Sequence, residues 1–129
     1  MEFTYCFSNA SLTQRLSHYL HSRMSVCPVC TTVIFLNDCW VTRVILPLTA
    51  TVEHQQHCLA MLGENGIVHQ SSARLRAAFD ALDQGCSITT VMNTYQIAIV
   101  SHGAPAPEEI HYFQEQFVTG LGYRPQSLV

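Results

Sequence analysis

The chain has 129 residues, of which 48% are hydrophobic and only 12% are charged, and its formal net charge is −3. It contains no lysine, because all six basic side chains are arginines. This excludes a P-loop, Schiff-base chemistry and a Ser–Lys nucleophile. The six scattered arginines predict no nucleic-acid interface, which needs a basic stripe, and no apolar run has the length of a membrane span, so we also expect no membrane partner.

The composition predicts one domain over residues 1–129, with enough apolar side chains for a substantial core. With so few charges, some apolar surface has to be covered by another molecule, and we expect a homodimer. The six cysteines mostly lie inside apolar periodic segments, where free cysteine packs as a small hydrophobic residue. We therefore expect the protein to be located in a reducing cytoplasm. This would be the cytosol of a host cell if the protein is an effector or is associated with one.

The first half of the sequence predicts a strand, a helix, a hairpin and a second helix. Residues 2–7 alternate in polarity, as in a strand, and a capped helix follows to about Met24. Two β-rich runs, residues 31–36 and 39–46, flank the turn pair Asn37-Asp38 and predict a hairpin. A second helix over residues 51–62 ends at Gly63.

The second half predicts the same order. A short strand at residues 67–69 precedes a helix capped by Ser71-Ser72, and a second hairpin is expected from residues 87–92 and 95–101. Pro107 then begins a helix that carries acids in its first turn. The prediction is an α+β fold of antiparallel hairpins covered by helices, as a single layered domain. Its order, β-α-β-β-α, is repeated in halves 1–63 and 66–121, which suggests a duplication.

One motif has the spacing of a metal site. Cys27 and Cys30 are separated by two residues, and His54 and Cys58 share one face of the second predicted helix. A cysteine knuckle, a hairpin and a helix with two further ligands resemble a treble-clef zinc site, and the resemblance covers residues 27–58. It implies a zinc-stabilised adaptor with these four ligands. The alternative is that they are structural residues without a cofactor, since the intervening strands are long and apolar.

A second candidate site lies around His102, at the end of a predicted strand. Glu108, Glu109 and His111 follow closely, and a histidine beside a carboxylate suggests a small hydrolase with a general base. No Gly-x-Ser-x-Gly nucleophile accompanies it. The alternative is that His102 ends a strand and that the two glutamates begin a helix.

The strand over residues 39–46 is apolar on both faces, with Trp40 on one and Val41 on the other. One face can pack under helices, and the other needs helices across the sheet or a second subunit. Trp40 and Val41 are therefore the interface candidates. Small acidic chaperones of type III secretion effectors are similar in length, in α+β composition and in ending with a hairpin and a helix. The leading strand and the additional helix depart from them. We expect a non-catalytic, cytoplasmic protein-binding module of chaperone, inhibitor or adaptor type.

Overall fold

The structure is a computed structural model that describes residues 1–24 and 28–129. It is an α+β fold of five strands and five helices, with a short 3-10 helix at Gln126–Leu128. None of the helices in these two ranges is long and apolar enough to span a bilayer. In chain order the elements are β1 (Glu2–Phe7), α1 (Ala10–Ser22), β2 (Cys30–Leu36), β3 (Cys39–Ile45), α2 (Val52–Asn65), β4 (Gly66–Val68), α3 (Ala73–Asp83), α4 (Ile88–Tyr95), β5 (Ala98–Gly103) and α5 (Pro107–Leu121).

The strands form one antiparallel sheet in the order β4-β1-β3-β2-β5, so β3 is central and β5 is an edge. The predicted first hairpin is confirmed: β2 and β3 pair from Cys30↔Ile45 to Leu36↔Cys39. Asn37 and Asp38 both have positive φ angles, 52° and 59°, as a two-residue hairpin turn of the right-handed sheet requires.

The second predicted hairpin is wrong, because residues 88–95 form helix α4. The run Ile88-Thr89-Thr90-Val91 favours a strand by propensity. Ser87 overrides that preference, since its hydroxyl accepts the Thr90 backbone N–H as a helix N-cap. The helix ends at Gln96 in the left-handed region. The second half therefore reads strand, helix, helix, strand, helix, and the predicted repeat of β-α-β-β-α is absent from it.

Helices cover both faces of the sheet. We call the face under α1, α2 and α5 the first face, and the face under α3 and α4 the second face. The first core contains Trp40 and Val44 of β3, and the second contains Val41, as strand alternation dictates. The sequence indicated that both faces of β3 need to be covered, and helices of the same chain cover them.

Trp40 lies at the centre of an aromatic cluster on the first face. Its ring is fully buried and lies 5.0 Å from the ring of Phe35 and 5.7 Å from that of Phe113 (centroid distances). Phe117 extends the cluster from Phe113 and Phe35 towards the surface. The indole N–H donates to the carbonyl of Ser127 at 2.7 Å, so the one polar atom of the ring is satisfied inside the core.

The segment after α5 is fixed by several side chains. Besides Trp40, Gln114 donates its amide to the carbonyl of Leu128 at 2.6 Å, and the hydroxyl of Ser11 donates to the carbonyl of Val129. Leu128 itself is fully buried in the first core. This segment is therefore part of the core and not a loose tail.

We predict that Trp40→Ala lowers the free energy of unfolding by about 3–5 kcal/mol, because it removes a buried ring and the bond to Ser127. Leu48→Ala is the control, since Leu48 is 97% exposed and its truncation should change stability by less than about 0.5 kcal/mol. Both effects are measured by urea denaturation, with unfolding monitored by far-ultraviolet circular dichroism, which does not depend on the tryptophan. Equal effects of the two substitutions would contradict the packing described above.

Candidate functional site

A row of polar residues crosses the second face of the sheet. Thr4 of β1 pairs with Arg43 of β3, Arg43 pairs with Thr32 of β2, and Thr32 pairs with His102 of β5. Residues directly opposite each other in an antiparallel sheet share a face, so these four side chains lie side by side. The row lies next to the apolar side chains of the second core, which include Ile34 and Val41.

His102 reaches this face because β5 contains a bulge. Val33 pairs with Ser101 and Ile34 pairs with Ile99, so Val100 has no partner on β2. The extra residue shifts the alternation by one position, which turns Ser101 to the first face and His102 to the second. Without it, the His102 side chain would lie on the side of α5.

The imidazole of His102 makes two contacts on this face. Its Nδ1 lies 2.8 Å from the hydroxyl of Thr32 and 3.7 Å from the Sγ of Cys30. Thr32 is fully buried, whereas Cys30 and His102 are partly exposed. A thiol, a hydroxyl and an imidazole therefore meet at a point that solvent can reach. We assign the ring proton to Nε2, so that the one lone pair of Nδ1 accepts from the hydroxyl of Thr32 or, in its place, from the thiol of Cys30.

Burial lowers the pKa of His102, and the positive charge of Arg43 lowers it further, while Asp83 opposes the shift. The ring is consequently neutral near pH 7, since even its ordinary pKa lies below that value. In a neutral ring with its proton on Nε2, the lone pair of Nδ1 can take the proton of the Cys30 thiol when the Thr32 hydroxyl turns away from it.

Arg43 is a buried cation at the centre of the row. Its two terminal nitrogens donate to the two carboxylate oxygens of Asp83 at 2.9 and 2.7 Å, and its guanidinium lies 4.4 Å from the centroid of the Phe79 ring. Among the described residues, the Nε atom has no hydrogen-bond partner. Arg43 also lines a polar cavity of about 300 Å³ beside β1 and the start of α3. The bidentate pair neutralises a charge that the core could not otherwise hold.

The structure separates the residues of the expected hydrolase. Glu108, Glu109 and His111 are exposed on α5, which packs on the first face, whereas the His102 side chain lies on the second. The neighbours of His102 are instead Cys30 and Thr32, and sequence reasoning did not connect them. Strand alternation places Cys30 and Thr32 on one face, but the bulge that brings His102 to that face has no signature in the sequence.

The three candidate zinc ligands within the described residues, Cys30, His54 and Cys58, are not brought together. Cys30 contacts His102 on the second face, whereas Cys58 is fully buried in the first core, with the sheet between them. Burial raises the pKa of Cys58 to about 11, so its thiol keeps its proton. His54 accepts the Thr51 backbone N–H through Nδ1 in a capping box at the start of α2. Cys27 lies outside the described residues. Within residues 1–24 and 28–129, no group of three or more potential ligands is placed to hold a metal ion.

The interface candidates Trp40 and Val41 are both buried within the chain, under α5 and under α3–α4 respectively. The exposed apolar surface lies elsewhere. One such surface is the outer side of α5 with the neighbouring part of β5, which we call the α5 flank. A groove of about 520 Å³ runs along it, and its lining includes Val100, Glu109 and Tyr112. Phe117 continues the flank and is 38% exposed at the margin of the aromatic cluster.

A larger groove, of about 920 Å³, follows the outer side of α1. Its polar lining comes from exposed side chains of that helix, including Arg15 and His18, and from Arg23 directly after it, with Met61 of α2 at its edge. Solvent hydrates these groups, and we assign no function to this groove.

None of the protein-family models, curated proteins or solved structures compared with this chain matches it.

We predict that Asp83→Asn destabilises the protein by about 2 kcal/mol, because it leaves the guanidinium of Arg43 buried without its counter-charge. Asp80→Asn is the matched control on an exposed position of the same helix, and its effect should stay below about 0.5 kcal/mol. Thermal or urea unfolding measures both. The double variant Arg43→Met with Asp83→Asn should recover part of the loss. A loss from Asp83→Asn no larger than the control's would contradict a stabilising pair.

The zinc hypothesis has a direct test. Because Cys58 is buried with its proton and His54 caps α2, we expect the purified protein to hold well under one zinc per chain by elemental analysis. The melting temperature should be the same with and without a chelator. One zinc per chain, together with a melting temperature that falls when it is removed, would restore the four-ligand site.

Proposed function

We propose that this chain is a non-catalytic protein-binding module of the chaperone, inhibitor or adaptor type, and that it acts as a homodimer joined through the α5 flank. The observation that carries the proposal is the exposure of apolar side chains on this flank. Tyr112 is 67% exposed and Phe117 38%, beside the groove along β5. Large apolar side chains that are exposed in this way are typical of association sites.

The second copy is expected to pack on helix α5 and not to extend the sheet. β5 is an edge strand, and an edge strand can pair with another chain through its free backbone groups. The bulge at Val100 interrupts the regular spacing of those groups, which disfavours pairing along the whole strand. The side chains of α5 are then the main contact surface.

Charge favours a second copy as the occupant. Glu108 and Glu109 lie in the first turn of α5, and Arg124 follows its carboxyl end. A twofold axis that pairs two α5 helices in antiparallel orientation brings the acidic end of one helix to the basic end of the other. The two helix dipoles then also oppose each other favourably. The Arg124–Glu115 ion pair within one chain is solvent-exposed, so it holds Arg124 only weakly.

Gly120 is consistent with the same arrangement. It lies within α5 without a positive φ angle, and a Cβ added to it would meet nothing within 4 Å. A glycine inside a helix costs about 1 kcal/mol relative to alanine. Neither backbone conformation nor packing within the chain requires this glycine. Close approach of a second helix gives it a structural role.

We predict a dimer by light scattering at tens of micromolar protein, and a monomer after Tyr112→Glu, because the new charge would be desolvated in the interface. The matched control is Val52→Glu on α2, since Val52 is 66% exposed and Tyr112 67%. Val52→Glu should remain dimeric.

Each alternative result has a definite meaning. A monomeric wild-type chain would remove the homodimer. A dimer that Val52→Glu dissociates and Tyr112→Glu leaves intact would move the interface from the α5 flank to α2. Circular dichroism shows whether each variant is folded, and both positions are exposed enough to accept a glutamate.

A further inference from the structure

The group of Cys30, Thr32 and His102 is not used by the proposed binding function, because it lies on the second face and α5 lies on the first. We propose that Cys30 is a reactive thiol that exchanges with small disulfides, with His102 accepting its proton, so that this site takes up a covalent thiol adduct.

The five described cysteines are all free, and they differ in their surroundings. Cys58 is enclosed in the first core, and Cys6 lies beside Cys39, partly buried in the sheet. Cys86 is the most exposed of the five. Cys30 combines partial exposure with an imidazole nitrogen 3.7 Å from its sulfur. Since the thiolate is the nucleophile, a base at this distance matters more for reactivity than exposure alone.

The backbone is arranged to bring these groups together. The bulge at Val100 places His102 opposite Thr32 on the second face, and Cys30 lies two residues before Thr32 on the same strand and face. Thr32 is fully buried, and its hydroxyl lies 2.8 Å from Nδ1, which holds the ring in position. Bulges on edge strands commonly direct a side chain into a site, and here the directed side chain is the proton acceptor.

The exchange is balanced as follows. The proton of Cys30 moves to Nδ1 of His102, and the thiolate sulfur attacks one sulfur of a small disulfide R–S–S–R. The new bond joins Cys30 to that sulfur, the original S–S bond breaks, and the departing R–S⁻ takes the proton from His102. Cys30 is oxidised to a mixed disulfide, and the released thiol R–SH is the reduced product. Exchange needs only a thiolate, an accessible sulfur and a proton for the leaving group, and the cluster supplies the first and the last.

The test uses the full chain carrying Cys27→Ser, because a cysteine three residues from Cys30 in sequence could displace the adduct. The protein is treated with hydroxyethyl disulfide, and the adduct on each cysteine is followed by peptide mass spectrometry. Cys86 is the internal reference, since it is the more exposed thiol and would react first if exposure alone decided the rate. We expect Cys30 to react roughly tenfold faster than Cys86. A rate at Cys30 equal to or below that at Cys86 would overturn the proposal.

His102→Gln tests the role assigned to the imidazole. It should lower the rate at Cys30 roughly tenfold or more and leave the rate at Cys86 unchanged. The matched control is His111→Gln, because His111 is an exposed histidine on α5 and should not affect Cys30. If His102→Gln unfolds the chain, the buried Cys58 becomes reactive as well, and the comparison within the unsubstituted protein then decides the proposal. An unchanged rate at Cys30 in folded His102→Gln would remove His102 from the reaction.

Discussion

The fold depends on a constraint at β3: the central strand is buried on both faces and therefore has to be covered twice. Trp40 and Val44 face one core, while Val41 and Arg43 face the other. Three helices cover the first face and two cover the second, and the chain supplies both layers itself. This explains how a sequence with 12% charged residues buries its apolar side chains without a partner at Trp40.

The two faces of the sheet are packed with different kinds of side chain. The first face is filled by aromatic rings, and its one indole N–H is satisfied by the carbonyl of Ser127. The second face contains a buried cation, which is stable only because Asp83 lies at the end of α3 where it can reach the guanidinium. That ion pair, with Phe79 against it, marks the boundary between the apolar core of the second face and its polar row. The proposed thiol site lies at this boundary, and the proposed association surface lies on the opposite face.

Much of the fold was readable in the sequence, and the failures have physical causes. The two β-rich runs and the turn pair Asn37-Asp38 between them identified the β2–β3 hairpin, since these local signals agree there. At residues 87–92 the local signals disagree, because a β-branched run, which favours a strand, follows a strong helix N-cap at Ser87. The cap decides the outcome, and the segment is helical. The candidate site was predicted only in part. His102, Cys30 and Trp40 were each predicted to be functional residues, but with other partners. Their contacts depend on a bulge and on helix placement, which are tertiary properties.

The bulge at Val100 gives β5 two ways to pair with β2. With the bulge, Ser101 lies opposite Val33 and His102 opposite Thr32. If the same residues paired without it, Val100 would lie opposite Val33 and Ser101 opposite Thr32, and the imidazole of His102 would lie on the side of α5. The loss of Val100 would remove this choice, because Ser101 and His102 would then keep their present partners in a regular strand. A deletion inside a strand usually moves every following side chain to the opposite face, and at this one position it should leave them in place.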